Sequence, residues 1–167
     1  MILQGKVMVE PQYLGRHNAS GRDVYLLTLN SLNTLFFLPT SEVAHFACLC
    51  ALNAKSLPPD EIGRFCSRLL DLGCAYFCAW GTESERVHDI MDEMVVGGTP
   101  PFSYVGCVMT TWHAAESLED VLGFFLNWTQ PDEEFAPNGC RVAVIISISG
   151  ARHDREIVQS VCGHLLA

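Results

Sequence analysis

No apolar run of roughly 18 residues occurs in the chain, which excludes a membrane-spanning helix of ordinary length. The opening stretch, from Met1 to Val7, has no basic head followed by a long apolar segment, so no secretory signal is expected. Basic residues are scarce: Lys and Arg number 10 against 19 Asp and Glu, for a net charge of −9. A surface that contacts phosphates must be basic, so nucleic-acid binding is disfavoured, and no membrane partner is expected. Also absent are a Walker loop, a G-x-G-x-x-G turn, a nucleophile elbow and a zinc-protease helix. The stretch from Gly97 to Pro101 has neither the lysine nor the spacing of a phosphate loop and reads as a stiff connection.

Cysteine is not scarce, but cysteine pairs at metal-binding spacing are. Of the eight cysteines, Cys48 and Cys50 lie two apart on an expected helix and do not face one another. Cys74 and Cys78 share a strand face but sit too far apart along an extended chain to pinch one ion. Most of the others lie in apolar segments, where a free thiol behaves as a small hydrophobe. A reduced, cytoplasmic protein with no structural metal and no cofactor is therefore expected, and the Asn127-Trp-Thr129 glycosylation sequon has no role there.

What is present is a concentrated charge. Between Thr82 and Glu134 there are eleven acids and one base, Arg86, so this stretch carries −10 and the rest of the chain sums to +1. At 167 residues, 49% apolar and 17% charged, the composition is that of one domain, residues 1–167, with a sizeable core.

Two copies of one pattern organise the chain. Residues 74–80 (CAYFCAW) and 105–112 (VGCVMTTW) are short apolar runs ending in Trp80 and Trp112, each read as a strand buried on both faces. Each is followed by a capping spacing, Thr82 with Glu85 and Ser117 with Asp120. Behind these, Val87, Ile90, Met91 and Met94, and then Leu118, Val121, Leu122 and Phe125, share helical faces. Before them, residues 1–9 read as an edge strand, 11–23 as a loop and 24–29 as a strand. Residues 34–39 either fold back on that strand as a hairpin, the favoured reading, or run on toward a buried helix expected over 41–53. A further helix starts near Pro58, with Ser56 as cap, and ends at Gly73. Residues 129–140 read as a polar loop, 141–149 as the clearest strand, and 154–166 as a last helix.

Alternating strands and helices predict an α/β fold: a three-layer sandwich on a mainly parallel sheet of four to six strands, Rossmann-like or flavodoxin-like. Successive right-handed crossovers moving one way along a sheet place their helices on one side. If the strands ending at Trp80, Trp112 and Ser149 are neighbours in that order, the helices near 82–95 and 117–128 pack side by side. Glu85, Asp89, Asp92, Glu93, Glu119 and Asp120 would then form one acidic wall, with Asp132, Glu133 and Glu134 in the following loop. Open parallel sheets hold ligands beyond their strands' carboxyl ends. A pocket between Trp80 and Trp112, with Glu83, His113 and Glu116 for acid–base work, is expected there. His88 reads as solvated.

Residues 74–81 (CAYFCAWG), 85–93 (ERVHDIMDE), 109–114 (MTTWHA) and 131–134 (PDEE) resemble an uncharacterised family of small bacterial proteins, over roughly residues 74–148. The resemblance implies a bacterial cytoplasmic origin and brings no mechanism and no catalytic residues.

The leading expectation is a non-enzymatic protein that captures a basic partner electrostatically, as an immunity protein, antitoxin or other part of a bacterial defence system does. The alternative is a small enzyme acting on a nucleotide-like substrate at the carboxyl edge. A homodimerising subunit is the third, and would present a symmetric apolar patch.

Overall fold

The computed structural model describes residues 2–3, 6–34, 36, 38, 45–97, 107–138, 140–148 and 151–166. Among the described residues eight strands run in chain order: β1 (Ile2–Leu3), β2 (Lys6–Val7), β3 (Gln12–His17), β4 (Arg22–Leu29), β5 (Phe46–Ala51), β6 (Cys74–Trp80), β7 (Met109–His113) and β8 (Val142–Ile148). Four α-helices join them: α1 (Pro59–Asp71), α2 (Ser84–Gly97), α3 (Leu118–Trp128) and α4 (Ala151–Leu166). The protein is α/β. Six strands form one sheet in the order β3-β4-β8-β5-β6-β7, parallel except for the antiparallel β3–β4 pair. The short β1 and β2 pair with each other.

The centre of the sheet explains the least expected element. Residues 41–53 were predicted to be helical, but Phe46–Ala51 is a strand with every residue buried. It lies between β8 and β6 with a helical layer on each face, so no position tolerates a polar side chain and the alternation that marks a strand is erased. The start of that predicted helix, residues 41–44, lies outside the described residues, as do residues 98–106 and 149–150, where a stiff connection, the beginning of the second Trp run and a glycine turn were expected.

The stretch 11–23 is not a loop. Gln12–His17 pairs with β4, its register shifting between Tyr13 and Gly15, where Gly15 sits at φ 138°. Asn18 to Gly21 make the hairpin turn, closed by Gly21 N–H donating to the His17 carbonyl at 2.8 Å. The hairpin partner of β4 is thus β3, and Phe36, within the stretch expected to fold back on it, instead bridges Val9. Likewise 133–138 is a 3-10 helix that buries Phe135 rather than a polar loop.

Helices cover both faces of the sheet. From β5 through β6 to β7 the chain steps one way, so α1 and α2 lie together on one face, over Phe46, Cys48, Phe77 and Val144. From β7 it steps back across β6 and β5 to insert β8 beside β4. That reversal carries α3 to the opposite face, where it packs with α4 over Ala47, Leu49, Tyr76 and Ile145. The expected side-by-side arrangement of the helices after Trp80 and after Trp112 is therefore wrong: they flank opposite faces.

The expected helix faces do pack inward: Ile62, Phe65, Cys66 and Leu69 of α1, Val87 and Met91 of α2, and Leu118, Val121, Leu122 and Phe125 of α3 are all buried. Two caps differ from expectation. Pro58, not Ser56, is the N-cap of α1. α2 begins only at Ser84, preceded by Glu83 at φ 58°, so Thr82 lies too early to cap it. The Ser117 cap is present: its Oγ accepts from Asp120 N–H at 3.1 Å, and its hydroxyl donates to Asp120 Oδ2 at 2.6 Å.

Candidate functional site

Strand register decides where the two tryptophans go. Trp80 pairs with His113, and Trp112 pairs with Ala79. Paired residues share a face of the sheet while neighbours along a strand alternate. Trp80 and His113 therefore face α3 and α4, and Trp112 faces α2, so no pocket lies between the indoles. β7 is moreover an edge strand with Trp112 45% exposed, not a strand buried on both faces.

On the α2 face, His88 is 8% exposed and not solvated. Its Nε2 lies 3.0 Å from Thr110 Oγ1, its Nδ1 lies 3.1 Å from Asp89 Oδ1, and its ring centroid is 4.5 Å from that of Trp112. The Thr110 hydroxyl donates to Asp92 Oδ1 at 2.5 Å. Glu85, Asp89, Asp92 and Val96, at helical spacing, form the stripe of α2 that borders this cluster, and Glu85, Asp89 and Glu93 are exposed. Arg86 does not relieve that charge. Its guanidinium donates to the carbonyls of Ala54 and Leu57 and pairs with Glu83 at 3.1 Å, tying α2 to the segment before α1.

The other predicted acids lie elsewhere. Glu119 and Asp120 are on α3, across the sheet, with Asp120 held in the helix cap. Asp132 caps its own turn by accepting from Glu134 N–H at 2.9 Å, and Glu133 and Glu134 begin the 3-10 helix beyond the end of α3. The single acidic wall expected from the sequence is thus two flanks and a separate loop.

At the carboxyl edge, Trp80 Nε1 donates to the Glu116 carbonyl at 3.0 Å and its ring stands edge-on to His153 at 5.3 Å. His113 Nδ1 lies 3.0 Å from Glu116 Oε1, and this bond foremost holds the Glu116 carboxyl below its ordinary range. Glu83 turns away to Arg86. Of the five residues predicted for a pocket, Trp80 and Glu116 line one hollow, His113 braces Glu116, and Glu83 and Trp112 take no part. Gly81 shapes the rim: at φ 115°, a Cβ there would meet the Leu52 carbonyl oxygen at 2.2 Å. Asn53 stands where the sequence predicts a helix end, and the enclosure of His88 beside Thr110 arises only from the α2–β7 packing, so neither is legible in the local pattern.

Among the described residues, no three or more His, Cys, Asp or Glu side chains gather as a metal site. None of the helices described is long and apolar enough to cross a membrane.

A family described as a domain of unknown function, DUF7684, matches residues 26–162. The chain belongs to this family. The matched span of the DUF7684 domain begins within β4 and ends within α4, so it takes in β5 to β8, α1 to α3 and all three tryptophans. No curated protein matches the chain.

Proposed function

We propose that this protein captures a basic protein partner on the face built by α2 and edge strand β7. The observation that supports the reading is the half-exposed Trp112 beside a carboxylate stripe whose only arginine is turned inward. An indole of this kind receives a Lys or Arg side chain, while Glu85, Asp89 and Glu93 steer the approach. The surface is smaller than the one expected from the sequence, since α3 and the 132–134 loop contribute nothing to it. Eight free cysteines, five of them fully buried, accord with a reducing cytoplasmic setting. Capture of a basic toxin, as an immunity protein or antitoxin of a bacterial defence system performs it, is the most specific form of the proposal. A Rossmann-like classification of the sheet belongs with it.

The test is association kinetics with an arginine-rich amphipathic helical peptide as probe. Reversing Glu85→Lys and Glu93→Lys together should slow association about tenfold at low salt and flatten its salt dependence. Glu119→Lys, on the opposite flank, should leave it unchanged. Equal effects on both flanks, or none on either, would overturn the reading. Asp89 and Asp92 are unsuitable for this test, because Asp89 also holds His88 Nδ1 and Asp92 accepts the Thr110 hydroxyl.

A further inference from the structure

Two hollows open at the carboxyl ends of the parallel strands, and they share a wall. One, of about 280 Å³, is lined by Trp80, Thr82 and Glu116, and the other, of about 400 Å³, by Leu32, Leu57 and Ile148; Asn53 and His153 border both. They straddle the gap between β5 and β8. The chain leaves β5 for α1 on one face and β8 for α4 on the other, which makes this gap the switch point where open parallel sheets place their ligands.

The pairing register adds an independent observation. Thr28, Ser147, Ala51, Trp80 and His113 form one lateral row on the α3–α4 face at this end of the sheet. Ser147, in that row, is fully buried and its hydroxyl has no hydrogen-bond partner. Above the row, on the first turn of α4, Asp154 Oδ1 has none either, while its Oδ2 accepts from the Thr28 hydroxyl at 3.1 Å and His153 Nδ1 lies 3.5 Å from Glu156 Oε2. Small side chains at Thr28, Ser147 and Ala51 leave Trp80 and His113 as the two rings of the row.

The lining also defines the ligand. Among the described residues neither hollow is lined by Lys or Arg, and Glu116 is a carboxylate, so a phosphate or carboxylate ligand is disfavoured. Leu32, Leu57 and Ile148 suit the carbon face of a ring, and Asn53, Thr82 and His153 suit hydroxyl groups. We infer that the two hollows form one site for an uncharged, ring-bearing polyol of the nucleoside or glycoside class, a function separate from the docking face.

Ligand-observed NMR on the full chain, with adenosine, AMP and phenyl glucoside as probes, tests this. One or both uncharged probes should bind, and AMP should bind about tenfold more weakly than adenosine. Asn53→Leu, which also gives up the bond that Asn53 Oδ1 accepts from Lys55 N–H, and His153→Leu should each weaken binding about fivefold or more in chains whose circular dichroism matches the wild type. Ser31→Trp, at an exposed position on the rim, should block the second hollow without touching the core. Absence of binding by both uncharged probes up to about 5 mM would overturn the inference. So would AMP binding as tightly as adenosine, or an affinity indifferent to all three substitutions.

Discussion

His88 and Trp112 pack ring against ring, their centroids 4.5 Å apart, and through them an edge strand is fastened to the helix that precedes it. The fastening is polar as well as apolar, because Thr110 bridges the His88 imidazole and the Asp92 carboxylate.

Thr110→Val keeps the shape of that bridge and removes its hydroxyl. It should lower stability by about 1–3 kcal/mol, since a half-buried carboxylate and an imidazole each lose a partner. Urea unfolding measures the loss, and a red shift of Trp112 emission should accompany it as β7 loosens. An unchanged midpoint would show that the bridge contributes nothing.

His17 gives the pH dependence. It is 3% exposed, and Ser20 points both its backbone N–H and its hydroxyl at Nδ1, at 3.3 and 2.8 Å. Burial first, then the neighbouring His164 and Arg22, hold its pKa below the ordinary 6.5. The unfolded chain therefore takes up the proton more readily. The contribution of His17 is complete above about pH 6.5 and is lost as pH falls through the lower folded value, at no more than about 1.4 kcal/mol per pH unit. Stability measured from pH 7 down to 5 should decline in the wild type and decline less in His17→Asn. Parallel curves would assign the decline to other groups.

The thiols should divide into three classes under a slow alkylating agent at pH 8. Cys107 and Cys162 are exposed and should react first. Cys140 is half-buried, and burial pushes it up to about 11. Cys48, Cys50, Cys66, Cys74 and Cys78 are buried, with Cys66 and Cys78 pushed up to about 12, so they should react only as the chain unfolds. Mass spectrometry of the labelled peptides against time distinguishes the classes. Early labelling of Cys48 would show that the sheet centre opens locally.

Local signals in the sequence were reliable where one element's own chemistry sets its form. The Ser117 cap and the inward faces of α1, α2 and α3 follow from spacing, and β8 from its β-branched composition. What could not be read was anything set by strand order. Phe46–Ala51 lost its alternation because it became central. β8 entered between β4 and β5 instead of beyond β7, and that one insertion sent α3 to the far face and divided the acids. The separation of Trp80 from Trp112 has the same origin in register: Trp112 stands opposite Ala79 and not opposite Trp80, a one-residue offset that no composition or motif encodes. Among the expected site residues, only Glu116 and Trp80 line the hollow they were assigned to, since both sit at the end of one strand pair.

The insertion of β8 also orders events during synthesis. Until residues 142–148 leave the ribosome, β4 and β5 each expose an unpaired apolar flank, because their shared neighbour is the last of the described strands to be made. The hairpin of β3 with β4 and the unit from β5 to β7 can each form early, but they remain two fragments with sticky inner edges. A nascent chain stalled before Val142 is therefore a natural client for holding chaperones, and closure of the sheet waits for β8.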